Sequence, residues 1–130
     1  MSRVLALDFG DARCGCAISD PTGTLATPLE AIERPDTKRG LQRVVRLVEE
    51  REAERVVVGL PLSLSGEEGP QARHTREWAE RLAARVRVPV DLHDERFTTR
   101  IAAAGGGSAA EDSRAAAVLL ESWLQAQANR

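Results

Sequence analysis

An α/β fold on a mixed five-stranded sheet, closed by helices, is what this sequence predicts, and three observations predict it. The first two apolar runs are separated by only three residues, so they have to pair antiparallel. From Thr37 onward the apolar period changes from that of a strand to that of a helix, and helices then alternate with strands. The chain has 130 residues with 42% hydrophobic and 29% charged side chains, which suits one compact domain over residues 1–130 with an apolar core of its own.

The elements follow in order. Residues 3–9 form a nearly continuous apolar run ending in Asp8-Phe9-Gly10 and read as a buried strand. Residues 13–19 form a second strand, joined to the first through Gly10-Asp11-Ala12. The turn Asp20-Pro21-Thr22-Gly23 leads into a third strand over residues 24–33, which Arg34-Pro35-Asp36 breaks. The chain thus opens with a three-strand meander. Beyond Thr37, Leu41, Val44, Val45 and Val48 recur at helical spacing, with Arg39, Arg43 and Arg46 on another face. Val56-Val57-Val58, ending at Gly59-Leu60-Pro61, reads as a buried strand parallel to the first, because a helix crosses over between them. A loop over residues 62–69 follows, and Pro70 suits the first position of a helix whose apolar stripe is Thr75, Trp78, Ala79, Leu82, Ala83 and Val86. Pro89 ends it. Residues 90–93 make a fifth strand, then come Asp94-Glu95-Arg96-Phe97-Thr98-Thr99, a short helix-like stretch to Ala104 and a flexible tether at Gly105-Gly106-Gly107-Ser108. A closing helix presents Ala115, Ala116, Leu119, Leu120, Trp123 and Leu124 to the sheet.

Composition excludes several classes. No apolar run approaches the 18 or more residues of a membrane span, and the N-terminal apolar stretch is too short for an export signal and is interrupted by Asp8, which makes the cytoplasm the expected compartment. Cys14 and Cys16 alternate onto one strand face with Ile18 as small core residues; they lack the partners of a metal site and the spacing of a redox pair. A net charge of −2 argues against a broad electrostatic footprint for nucleic acid, although 17 of the 18 basic residues are Arg, the better side chain for bidentate phosphate contacts.

Three carboxylates stand out. Asp8 ends a buried strand, where an ionised group asks for a cation, although an Asp before Gly10 can also simply start a turn. Glu95 follows the fifth strand directly; as part of a charged loop it would need no function. Asp112 precedes the buried face of the last helix, where Asp is also a favoured cap. In an open α/β sheet functional groups gather outside the carboxyl ends of the strands. If all three acids converge there, they offer hard oxygen ligands suited to Mg²⁺ or Mn²⁺, and a pair of such ions can run phosphoryl transfer without a dedicated protein base. His74 is then expected at the surface, and His93 has at most a secondary role. No G-x-S-x-G setting supports a serine nucleophile, Asp8-Phe9-Gly10 lacks the partners of a kinase, and Gly105-Gly106-Gly107 opens no phosphate-binding loop.

Four segments in this order resemble the YqgF/RuvX family of bacterial ribonuclease H-like proteins, described as Holliday junction resolvases and as the pre-16S rRNA processing nuclease. They are Asp8-x-Gly10-x-x-Arg13-x-Gly15-x-Ala17-x-Ser19-Asp20, Val58-Gly59-Leu60-Pro61 with Gly66 and Gln71-Ala72 behind it, Asp94-Glu95-Arg96-x-Thr98-Thr99, and Asp112-x-x-Ala115-Ala116. The resemblance covers almost the whole chain. It implies a divalent-metal-dependent nuclease on a ribonuclease H-like fold, a mixed five-stranded sheet with helices on both faces. The family's acidic residues fall on Asp8, Glu95 and Asp112, with Arg13, Arg96 and Arg100 set to meet the substrate's phosphates. Three departures bear on substrate affinity: the basic run common before the last Asp is replaced by Gly105-Gly106-Gly107-Ser108-Ala109-Ala110-Glu111, a common Lys by Ala12, and a usual Asn by Ser63.

The expected function is hydrolysis of phosphodiester bonds in structured nucleic acid, as 5′-end processing of pre-16S rRNA in ribosome biogenesis, Holliday junction resolution in DNA recombination, or both. A non-catalytic RNA- or ribosome-binding module on the same fold is the alternative; an actin-like ATPase half would need a second such domain. Symmetric incision of a junction would require a homodimer. Three phosphate contacts predict a log–log salt dependence of binding near a slope of about −3.

Overall fold

The computed structural model describes residues 3–96 and 108–129. Strands β1 (Val4–Phe9), β2 (Arg13–Ser19) and β3 (Ala26–Glu33) form the meander; α1 (Lys38–Glu50), β4 (Arg55–Leu60), α2 (Pro70–Ala83), β5 (Val90–Asp94) and α3 (Ala109–Ala128) follow. The sheet order is β3-β2-β1-β4-β5, with antiparallel β1–β2 and β2–β3 pairs and parallel β1–β4 and β4–β5 pairs. The predicted meander and parallel extension are both present. The third strand starts at Ala26, later than the expected residue 24, because the Asp20 carboxylate captures the backbone N–H groups of Thr24 (2.7 Å) and Leu25 (2.9 Å) and the Thr22 hydroxyl, holding that stretch in a turn. The helix-like stretch expected up to Ala104 and the Gly105-Gly106-Gly107 tether lie outside the described residues.

Strand alternation sorts the core into two layers. Leu5, Leu7 and Phe9 of β1, Cys14 and Cys16 of β2 and Val56 and Val58 of β4 face α1 and α2, where Leu41, Val44, Val48, Trp78 and Leu82 cover them. Val4, Ala6, Ala17 and Val57 point the other way, to Ala116, Ala117, Leu119 and Leu120 of α3. The helices therefore lie on both faces. Trp78 is fully buried, stacks on Phe9 with ring centroids 4.5 Å apart, and donates its indole N–H to the Pro35 carbonyl at 3.0 Å. Both cysteines are free and buried, as expected, and burial raises the Cys14 pKa well above its usual value.

Helix ends are closed by side chains that the sequence places there. Thr37 Oγ1 accepts from the Gly40 N–H at 3.0 Å, Ser108 Oγ accepts from the Glu111 N–H at 3.3 Å, and Pro70 opens α2. His74 departs from its expected surface placement. It is half-buried between Asp36 (2.9 Å) and Asp11 (3.5 Å) and meets Phe9 edge-on, tying α2 to the turns after β1 and β3. Its amphipathic imidazole has both an apolar ring face and two carboxylates to satisfy, which an Arg-rich neighbourhood in sequence does not reveal. Among the described residues no helix is long and apolar enough to cross a membrane.

Candidate active site

Asp8 lies on the α3 side of the sheet, because it alternates in step with Val4 and Ala6. The residue opposite it on β2 is Gly15. On the other flank Leu7 pairs with Val58, so the next residue of β4 is Gly59. By the same alternation both glycines belong to the α3 face, in step with Ala17 and Val57. Each is a place where another carboxylate-bearing segment presses in. A Cβ on Gly15 would collide with the backbone carbonyl of Asp112, and a Cβ on Gly59 would come within 2.5 Å of the Glu95 Cδ and 2.8 Å of both its carboxylate oxygens. The missing side chains thus admit the first turn of α3 on one side of Asp8 and the Glu95 carboxyl on the other.

Local contacts fix these approaches. Ser113 is buried and its Oγ accepts from the Cys16 N–H at 3.2 Å, which pins the start of α3 to β2. The Glu95 N–H donates to the Leu60 carbonyl at 3.2 Å, extending the β4–β5 pairing by one residue and carrying Glu95, 8% exposed, over the sheet end. The structure accordingly places Asp8, Glu95 and Asp112 at one edge, at the carboxyl ends of β1, β4 and β5. Their donor type suits a hard divalent cation. It does not gather them into a finished cage: among the described residues no three Asp, Glu, His or Cys side chains form a metal-holding group. Asp112 is instead turned to Arg13, whose Nε donates to Asp112 Oδ2 at 2.8 Å. That hydrogen bond, working against partial desolvation, raises the Arg13 pKa further.

Arg96 is the second cation at this edge. Its Nε and its backbone N–H each donate to the Asp94 carboxylate at 2.8 Å, and Nη1 reaches the Leu64 carbonyl at 3.4 Å. Asp94 is held below the usual carboxylate range by the Arg96 hydrogen bond. Gly66, with φ at +90°, leaves the space under the Arg96 guanidinium, so the loop after β4 is shaped around this side chain. His93 pairs in register with Gly59, shares a 3.1 Å hydrogen bond with Ser122 of α3, and is shifted toward its neutral form by burial, opposed by Asp94. Arg100 lies outside the described residues. Sequence reasoning missed the roles of Gly15, Gly59, Asp94 and Ser113. A signal for the glycines was present, since glycine inside a strand marks a bulge or a close approach.

The chain is similar to known proteins over most of its length. The family described as "RuvX: Holliday junction resolvase" matches residues 2–126. A protein of Chloroflexus aggregans bearing the name "Putative pre-16S rRNA nuclease" is 39% identical over 97% of this chain and 95% of its own length. Proteins of the same name from Chloroflexus aurantiacus and a Nocardioides species are 46% and 54% identical over 74% and 73% of the chain. Those matches span 63% and 64% of the relatives' lengths, just under two thirds. In three dimensions the chain superposes on T. thermophilus RuvC, solved in complex with a Holliday junction substrate, with a TM-score of 0.62, 16% identity, and coverage of 99% of this chain and 97% of that one. This likeness is one of fold, and it is ribonuclease H-like.

Proposed function

Given that the chain belongs to the RuvX family, we propose that it is a nuclease hydrolysing phosphodiester bonds in structured nucleic acid, acting as a single domain on the 5′ end of pre-16S rRNA, on Holliday junctions, or on both. One observation carries the reading: two in-strand glycines make room on either side of Asp8 for Glu95 and for the helix turn bearing Asp112. The names of the relatives and of the family point to the two substrates.

Asp8, Glu95 and Asp112 are the residues that would hold Mg²⁺ or Mn²⁺, and such a cation supplies Lewis-acid polarisation of the phosphate and eases deprotonation of water. The backbone of Asp8 is set by β1, a central strand paired with β2 and β4. Glu95 is buried, which strengthens its interaction with any positive group brought to it. Arg13 neutralises Asp112 and thereby lowers the repulsion among three acids at one edge. For Asp112 to serve as a ligand, Arg13 has to share or release it, and its guanidinium is then placed to meet a substrate phosphate. Arg96, braced by Asp94 and the loop, presents a second guanidinium, and Arg100 is proposed as a third. Two symmetric cuts in a junction would use a homodimer.

The test is a cleavage panel of pre-rRNA leader, four-way junction, duplex and single strand with Mg²⁺, Mn²⁺ or EDTA, comparing the native chain with Asp8→Asn. Cleavage of one structured substrate, lost with EDTA and with Asp8→Asn, is the expected result. In melting curves Asp8→Asn should be as stable as the native chain or slightly more so without metal, and should gain less from Mn²⁺. Binding without any cleavage above the Asp8→Asn background would leave a non-catalytic binding module, and an equal Mn²⁺ response in both proteins would remove Asp8 from the site.

A further inference from the structure

The charges on α1 are arranged against the stability of the helix. Its first nine residues, Lys38 to Arg46, carry four cations and no acid, while Glu49 and Glu50 fill the last turn. A helix macrodipole favours the reverse at the two ends, acids in the first turn and cations in the last, by about 0.3–1 kcal/mol for a charge there, so Lys38, Arg39, Glu49 and Glu50 are placed against it. Arg39, Arg43 and Arg46 are exposed, and none forms an ion pair among the described residues. On α2 the pattern differs: Arg76 is paired with Glu68 at 2.6 Å and Arg81 with Asp36. The α1 cations therefore do little for the fold, in a chain whose net charge is −2.

Their place in the fold gives them a use. Arg13 pairs in register with Glu33, the Arg34 N–H donates to the Ala12 carbonyl at 2.9 Å, and a Cβ on Gly40 would collide with the Arg34 carbonyl. The first turn of α1 is thus pinned at the sheet end that carries Arg13. From there the helix runs beside β3, one of the two edge strands of the sheet, and the three arginines follow one face over about 10 Å, at 1.5 Å per residue. Exposed guanidinium groups with no ion-pair partner among the described residues, repeated along a line that begins at the sheet end carrying the site but on the opposite face, match the repeated phosphates of a nucleic-acid backbone. Glu30, Glu33 and Glu50 border the same grooves.

We propose that the Arg39–Arg43–Arg46 face of α1 is a phosphate-backbone track for the arm of nucleic acid extending from the cleavage site along the β3 edge. The proposal rests on the nuclease reading above and adds a contact surface to it. It raises the expected number of phosphate contacts from the three around the site toward six, and it gives this chain a basic surface although residues 101–111 contain no Lys or Arg.

The experiment measures binding of labelled four-way junction and pre-rRNA leader by anisotropy, at salt concentrations between about 50 and 300 mM, on the uncut complex of the Asp8→Asn chain. Arg39→Gln/Arg43→Gln is compared with Arg85→Gln/Arg87→Gln, an equal change in charge among exposed residues after α2, at the opposite end of the sheet. The α1 pair should weaken junction binding by about tenfold at 100 mM salt and make the log–log slope shallower by about 2, with the control changing it by less than 0.5. Melting should show both variants folded, with the α1 pair at least as stable as the parent. Equal weakening by both pairs, or by neither, overturns the track and leaves the nuclease reading standing. Absence of binding by the parent chain to either probe overturns both.

Discussion

On the face covered by α1 and α2 the sheet presents Leu5, Leu7, Phe9, Val56 and Val58; on the face covered by α3 it presents Val4, Ala6, Ala17 and Val57, with Gly15 and Gly59 at their end. Large side chains hold a helix away from a sheet, and small ones let its backbone come close. The first face therefore supplies most of the apolar burial, and the second brings a helix near enough for its first turn to touch β2. Stability and chemistry have been given to opposite sides of one sheet. The candidate site sits on the thin side because only there can Asp112 and Glu95 reach the strand that carries Asp8.

The sharpest way to break this division is Trp78→Ala. It empties the thick face of a fully buried indole stacked on Phe9 and should cost about 3–5 kcal/mol in a denaturant titration. If the faces are separate, Mn²⁺ affinity of the folded fraction should stay that of the native chain. A change in both would merge the two layers into one. Next in size is Gly15→Ala, where the obstacle is backbone: α3 has to move away from β2, at a cost of about 1–3 kcal/mol, and cleavage should be lost with it. Gly59→Ala sharpens the contrast, because there the obstacle is the end of a flexible side chain. Stability should fall by less than about 1 kcal/mol while cleavage falls as severely as for Gly15→Ala, since Glu95 is displaced. Equal destabilisation by the two alanines would show that Glu95 is held as rigidly as a helix backbone.

The smallest effect belongs to the turn before β3, far from the site. The Thr22 hydroxyl, with the Leu25 and Thr24 amides, lowers the Asp20 pKa to about 2. A carboxylate with a depressed folded pKa stabilises fully above its unfolded value near 3.9, and that contribution is lost as pH falls toward 2. Hydrogen exchange of the Thr24 and Leu25 amides should therefore lose protection between about pH 4 and 2, with the sheet amides of β1 unaffected. Protection unchanged across that interval would place the hold on these amides elsewhere.

Much of this architecture was readable from residue order. The hairpin was dictated by the three residues between two apolar runs, the crossover direction by a helix between strands, and the three acids by their place at strand ends. Boundaries failed where side chains recruit backbone: Asp20 delays β3 by capturing two N–H groups, an interaction that periodicity does not encode. The neighbours of His74 in sequence predict a surface position, but its partners Asp11 and Asp36 lie 63 and 38 positions away. The Arg13–Asp112 pair spans 99 residues and joins a strand expected to meet phosphate with an acid expected to meet metal. Spacing placed both at one edge and could not foresee that they would engage each other.

That last pairing has a bearing on biosynthesis. Among the described residues, every strand and both helices of the thick face precede residue 95, and α3, Ala109–Ala128, follows them. During translation the sheet can pair and cover one side while the other still exposes Val4, Ala6, Ala17 and Val57. The candidate site lacks Asp112 until α3 has left the ribosome and docked. On the nuclease reading, a chain on the ribosome could touch RNA through α1 before it could cut, because the cutting site is complete only once α3 has been made and has docked.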